Sequence, residues 1–197
     1  METYSLSVIM PLYNQEELFK IGLDSIPKRD DIEIIIVDDC STDNSFLEAQ
    51  KYPFKNKTVV RNDKNMGAAY SMNRGLELAK GEYILRLDSD GDYIENLEDA
   101  LPLLRTDIVY FGIQTNKGNY LSSKAGANKF IRREFIKDTR YPPLVNSEDN
   151  VFYKELLDKK PTESAVSRTL YRYNYPREGS LTWNVEHKVT PNRMEIK

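Results

Sequence analysis

Four short strand-like runs mark the first half of the chain, at residues 6–10, 32–37, 57–61 and 83–87, and segments with helical apolar spacing fill the gaps between them. That alternation restricts the fold more than any other feature, because strands that return in one direction through helices build an α/β domain around a mainly parallel sheet. The run Ile34-Ile35-Ile36-Val37 is unbroken, as expected of a strand covered on both faces. Asn14 followed by Glu17 has the form of a capping box, opening a helix with Leu18, Ile21 and residues 23–26 on its apolar face. Thr42 or Asp43 is placed to cap a helix to about Gln50, and a helix over 68–80 is closed by Gly81 at C′.

The second half is less regular. Helices are predicted over 94–104, 130–137 and 149–159, strands over 108–113 and 169–175, and a loop with a possible hairpin over 118–127. At 197 residues the chain suits one domain. We read it as 1–184, with a nucleotide-binding half at 1–92, an acceptor half at 93–184 and a tail at 185–197. The single cysteine, Cys40, excludes an internal disulfide, and Cys40 with the single histidine, His187, cannot build a His/Cys zinc cage. The longest aliphatic runs are far too short to span a bilayer, and the N-terminus reads as a strand, so a cytoplasmic location is expected. The net charge of -3 conceals an asymmetry: residues 1–100 hold 11 Lys+Arg and 20 Asp+Glu, and residues 101–197 hold 17 and 11. Such a split marks either two solvated faces or two tasks, one involving an anion.

Carboxylates follow two of the predicted strands. Asp88-Ser89-Asp90-Gly91-Asp92 is an Asp-x-Asp turn, which suits Mg²⁺ or Mn²⁺ held by one or two carboxylates plus phosphate oxygens, or else caps the next helix. Asp38-Asp39 can accept hydrogen bonds from a base N–H or ribose hydroxyls, and Pro11-Leu12-Tyr13-Asn14 brings an aromatic ring to the same sheet edge. In open α/β sheets that edge binds ligands. Each turn also has an ordinary reading as turn chemistry. Ser147-Glu148-Asp149 starts a predicted helix, where acids suit the macrodipole and could equally supply a general base. Tyr171-Arg172-Tyr173, Arg177 and Gly179-Ser180-Leu181-Thr182 could bind anionic or sugar groups, or be plain strand and turn. No P-loop or GxGxxG fingerprint is present.

Together these segments resemble glycosyltransferase family 2, the inverting nucleotide-sugar transferases of GT-A (Rossmann-like) fold. The resemblance is carried by Ser7 to Asn14, Glu33 to Ser45, Asn65-Met66-Gly67 with Asn73-Arg74-Gly75, and Ala79 to Ile84 leading into Asp88-Ser89-Asp90. It continues through Glu148-Asp149 to the Tyr171–Thr182 region. It implies that Pro11, Tyr13, Asp39, Asn65, Gly67, Asp88 and Ser89 bind the nucleotide sugar, with Asp39 on the base and Asp88 on the ribose. By the same resemblance Asp90 coordinates Mn²⁺ or Mg²⁺ and Asp149 is the general base. Asp90-Gly91-Asp92 replaces the Asp-Asp common in the family, which leaves the identity of any second metal-side carboxylate, and the role of Asp92, open.

The expected activity is metal-dependent, inverting transfer from a nucleoside-diphosphate sugar, a UDP-sugar for preference, to an acceptor hydroxyl. A nucleotidyltransferase, a glycoside hydrolase and a non-catalytic nucleotide-sugar-binding module are the alternatives. The acceptor is open between a glycan or lipid-linked sugar and a nucleic acid carrying a hydroxylated base. The latter is suggested by Arg132, Arg133, Lys137, Arg140, Lys159, Lys160, Arg168, Arg172 and Arg177.

Overall fold

A computed structural model describes residues 4–115, 118–120, 128–144 and 147–174. The alternation of the first half becomes β1 (Leu6–Leu12), α1 (Phe19–Asp24), β2 (Ile32–Asp38), α2 (Ser45–Lys51), β3 (Lys57–Arg61), α3 (Ala68–Leu78) and β4 (Tyr83–Arg86). After these come β5 (Tyr93–Ile94), α4 (Leu97–Ala100), β6 (Ile108–Thr115), β7 (Gly118–Tyr120), β8 (Lys129–Arg132), α5 (Arg133–Ile136), α6 (Glu148–Asp158) and β9 (Glu163–Tyr173). One sheet runs in the order β3-β2-β1-β4-β8-β6-β9-β5, with β7 paired to β6. Its two longest pairings, β1 with β2 and β6 with β9, are parallel. β8 joins β4 and β6 antiparallel, so the two halves share one sheet.

Side chains alternate across the pleat, so β1 and β2 feed two cores. Val8, Met10, Ile34 and Ile36 pack with Phe19, Leu23 and Ala49 of α1 and α2. Ile9, Ile35 and Val37 pack on the other face with Met72 of α3 and Phe152, Tyr153 and Leu156 of α6. Full burial on both faces explains the unbroken aliphatic run in β2. Chain order reverses at β1, which pairs with β2 on one side and β4 on the other. A doubly wound sheet opens a crevice at that switch point, beyond the carboxyl ends of its strands.

Several local expectations are corrected. α1 starts at Phe19, and Asn14 (φ 50°) does not cap it; Asn14 Oδ1 instead accepts from Thr42 N at 2.8 Å. α3 stops at Leu78, and Gly81 serves close approach: its N–H donates to Ser7 Oγ at 2.8 Å, and a Cβ there would lie 2.5 Å from Ser7 N. The single helix expected over 94–104 is β5, α4 and a 3₁₀ turn, Leu101–Leu103, because Ile94 pairs with Tyr171 and Asn96 takes φ 54°. The helix expected over 130–137 opens as β8, which buries Phe130 and Ile131 on opposite faces, and only 133–136 are helical. β9 begins at Glu163, well before the expected 169, and Tyr175 falls outside the described residues. Within the segment expected as loop or hairpin, 118–120 form β7 and pair with β6; residues 121–127 are outside the described set, as are Arg177, Gly179 to Thr182, His187 and the tail.

Candidate active site

β1, β2 and β4 end at one sheet edge, and α6 starts against it. From β2, Asp39 is 4% exposed and accepts three hydrogen bonds, from Asn62 Nδ2 (2.7 Å), Met66 N (2.8 Å) and Gly67 N (2.7 Å). It thereby fixes the entry to α3, where the partial positive charge of the helix terminus favours a carboxylate. A carboxylate offers about four acceptor sites, so roughly one is left for a ligand. Asp38, fully buried, accepts from Ser41 N and pairs with Arg61 Nε at 3.3 Å, which shapes the following loop. Leu12 O accepts from Asp39 N at 2.8 Å, tying the end of β1 to that of β2. The Tyr13 ring is 41% exposed beside them, Pro11 is half-buried and Asn65 is exposed. Gly67 caps α3 at φ +86°, and a Cβ on it would meet nothing within 4 Å, so the space next to it is open.

The turn after β4 is more tightly held. Asp88 Oδ1 accepts from Arg86 Nε at 2.8 Å, and Ser89 is buried. Asp92, 1% exposed, accepts from Tyr171 Oη (2.7 Å) and Asn174 N (2.8 Å). Burial, then the charges of Asp90 and Asp88, push its carboxyl up to about 8. A cavity of about 240 Å³ opens beside Gly91, between Tyr93, Gln114 and Arg172.

α6 adds the last carboxylates. Glu148 lies 3.5 Å from Arg86 Nη1, so one guanidinium serves Asp88 and Glu148 together. Asp149 is half-buried, and its Oδ1 accepts from Asn150 N. Nearby, Lys129 is 3% exposed, with Nζ 3.5 Å above the centroid of Tyr153. Burial lowers its ammonium to about 7; the charge of Asp149 opposes that shift and Arg86 adds to it.

The ends of β2 and β4 put Asp39 and the Asp88–Asp90 turn at one sheet edge, and Arg86 links Asp88 to Glu148 at the start of α6. Sequence reasoning gave no role to Arg86, Lys129, Asn73 or Asn174. A charged residue inside an otherwise apolar run was the available signal for Arg86; Lys129, between Asn128 and Phe130, carried none. Asn73 exchanges two 2.8 Å hydrogen bonds with the Tyr141 backbone and so pins α3 to the second half. Arg172 pairs with Glu95 at 2.6 Å, and Arg132 pairs with Glu82 at 3.4 Å. Arg168 pairs with Asp99.

Does the turn fit a divalent cation? Asp88, Asp90 and Asp92 concentrate negative charge in five residues, and the raised Asp92 carboxyl registers that excess. Among the described residues no group of three or more His, Cys, Asp or Glu is arranged to hold a metal by itself. The concentrated charge fits Mg²⁺ or Mn²⁺, which binds through one or two carboxylates and completes its shell with water and phosphate.

The family model for "Glycosyl transferase family 2" matches residues 7–172. The chain belongs to glycosyltransferase family 2. Among its relatives, poly(ribitol-phosphate) beta-N-acetylglucosaminyltransferase TarS of Staphylococcus aureus is 31% identical over 206 residues, covering 88% of this chain and 36% of TarS. An uncharacterized glycosyltransferase of Haemophilus influenzae is 32% identical over 181 residues, covering 77% of this chain and 71% of its own length. The chain spans about a third of several relatives, including TarS and, at 30%, Escherichia coli YibD. The structure of S. aureus TarS 1-349 in complex with UDP-GlcNAc superimposes with a TM-score of 0.79 at 27% identity, over 89% of this chain and 60% of that one. The family's GT-A fold is thus the fold described above. Among the described residues, no helix is long and apolar enough to cross a membrane.

Proposed function

We propose that this family 2 chain is a metal-dependent inverting glycosyltransferase that moves a sugar from a UDP-sugar to an acceptor hydroxyl. The observation that carries the reading is that Asp39 and the Asp88–Asp90 turn follow strands ending at one sheet edge, where Arg86 joins Asp88 to Glu148 beside Asp149. The likeness to TarS in complex with UDP-GlcNAc supports a uridine donor.

In this reading the base stacks on the exposed Tyr13 ring beside Pro11 and takes a hydrogen bond to the remaining acceptor site of Asp39. Asn65 and Gly67 border it, Gly67 leaving room where a side chain would intrude. Asp88, oriented by Arg86, receives the ribose hydroxyls, and Ser89 lines the same turn. Asp90 would hold Mn²⁺ or Mg²⁺, with water and the diphosphate oxygens completing its shell. The cation supplies positive charge that stabilises the departing nucleoside diphosphate. Asp149 takes the proton from the acceptor hydroxyl as that oxygen attacks the anomeric carbon, and one displacement inverts the configuration. The halves 1–92 and 93–184 form one catalytic domain that works in the cytoplasm. For the acceptor, a glycan or lipid-linked sugar is favoured over nucleic acid, because Arg132, Arg168 and Arg172 are already spent on carboxylates.

The test is UDP release from a panel of UDP-sugars, with and without Mn²⁺. Asp149→Asn should lower turnover about 10²–10⁴-fold while UDP affinity is kept. Equal turnover in wild type and Asp149→Asn would sink the mechanism, and pyrophosphate release from a nucleoside triphosphate would replace it with nucleotidyl transfer.

A further inference from the structure

The Asp88–Asp92 turn is held chiefly by the far end of the described chain. Tyr171 Oη donates to Asp92 Oδ2 (2.7 Å) and accepts from Asp88 N (3.2 Å). Asn174 N donates to Asp92 Oδ1 (2.8 Å), and Asn174 Nδ2 donates to the Asp90 carbonyl (2.9 Å). Four hydrogen bonds thus reach every acidic residue of the turn from two residues at the end of β9. Gly91 completes the arrangement: its φ of +95° suits glycine, and a Cβ there would lie 2.6 Å from Asn174 Nδ2.

Three aspartates so close repel one another, and a turn carrying them spreads unless something fixes each position. Asp92 has both oxygens engaged by β9 and is buried, so it faces the protein rather than a ligand. Asp90 stands between two residues that β9 fixes, Asp88 by its backbone N–H and Asp92 by its carboxylate. We propose that Tyr171 and Asn174 are positioning residues for the cation-binding turn, and that Asp92 is their internal anchor and not a metal ligand. The acceptor half thereby sets the geometry of the donor's cation site. This rests on the donor-site reading above.

The experiment titrates Mn²⁺ into the full chain with saturating UDP, following free Mn²⁺ by EPR, and measures UDP affinity without metal and the melting temperature in parallel. Wild type binds Mn²⁺ and Asp90→Asn loses it. Tyr171→Phe and Asn174→Ala, each removing part of the clamp, weaken Mn²⁺ about tenfold while metal-free UDP affinity stays within about twofold. Asp92→Asn keeps an acceptor for Asn174 N but turns an NH2 donor towards Tyr171 Oη, so it weakens Mn²⁺ by no more than the clamp variants do, about tenfold, and Asp92→Ala falls with them. Wild-type Mn²⁺ affinity in both Tyr171→Phe and Asn174→Ala overturns the clamp and leaves the donor reading standing. Loss in Asp92→Asn as complete as in Asp90→Asn overturns the anchor, since a metal ligand behaves that way. No Mn²⁺ uptake by wild type with UDP overturns the donor reading and the clamp with it.

Discussion

Arg86 Nη1 lies 3.5 Å from Glu148 Oε1 while Nε of the same guanidinium donates to Asp88, so a single mostly buried cation joins the end of β4 to the first turn of α6. Removing one member of a buried charge cluster leaves the others uncompensated. Arg86→Met should therefore cost about 3–5 kcal/mol in urea unfolding, and Glu148→Gln, which retains a hydrogen-bond acceptor, about 1 kcal/mol. Equal costs would mean that the guanidinium is not shared.

Lys129 makes stability depend on pH. Its folded-state value, about 7, lies below the ordinary 10.5 of the unfolded chain, so between those limits the unfolded chain binds more protons and stability rises with pH. The charged or titratable groups around it are Asp149 and Tyr153 from α6, Arg86 from β4 and Tyr110 from β6. Lys129→Met, which removes the group, should make the change in melting temperature from pH 7 to pH 9 less positive than in the wild type, the contribution of the raised Asp92 carboxyl having the opposite sign and being common to both chains. An unchanged slope would reassign the pH dependence to another group.

Tyr13 and Asp39 should separate binding from folding. Tyr13 is 41% exposed, so Tyr13→Ala should leave the melting temperature nearly unchanged and weaken UDP by about 1–3 kcal/mol, the value of an aromatic ring stacked on a base. Asp39→Ala removes the acceptor of three donors at the start of α3 and should lose about 2 kcal/mol of stability as well as UDP affinity. Calorimetry with UDP alongside thermal melts reads both.

At Gly67, φ is +86° and a Cβ meets no protein atom. Gly67→Ala should cost about 1 kcal/mol of stability from backbone strain alone. If the open space receives the nucleoside, UDP affinity falls more than tenfold in the same variant. A loss confined to stability would leave Gly67 a helix-cap glycine and nothing more.

The strands of the first half were legible because β1 and β2 are buried on both faces, which forces nearly continuous apolar runs that stop at Tyr13-Asn14 after β1 and at Asp38-Asp39 at the end of β2. β9 was legible only from 169 because residues 163–168 are mostly exposed and pair with β6 through register shifts, so no apolar period announces them. Phe130-Ile131 with Phe135-Ile136 satisfies helical and strand spacing alike, and only the pairing with β4 and β6 decides for a strand. In the candidate site, residue types were readable and partners were not. Asp39 was visible as a carboxylate after a strand, but not as the acceptor for Gly67 N, 28 residues on. Asp92 had no role to read, since its partner Tyr171 lies 79 residues away. The charge asymmetry was real, but part of it is neutralised internally, as Arg172 with Glu95 and Arg168 with Asp99 demonstrate.

Because β8 and β9 carry the groups that grip β4 and its turn, acceptor preference cannot be transplanted by a cut between 92 and 93. Arg132 with Glu82, Glu148 with Arg86, and Tyr171 with Asp92 all straddle that seam. A chimera joined there would present the exposed Glu82, the mostly buried Arg86 and the buried Asp92 to foreign neighbours, and the first half would be perturbed for reasons unrelated to what the second half binds. Shuffling of specificity in this scaffold must move residues 82, 86 and 92 together with the strands that answer them.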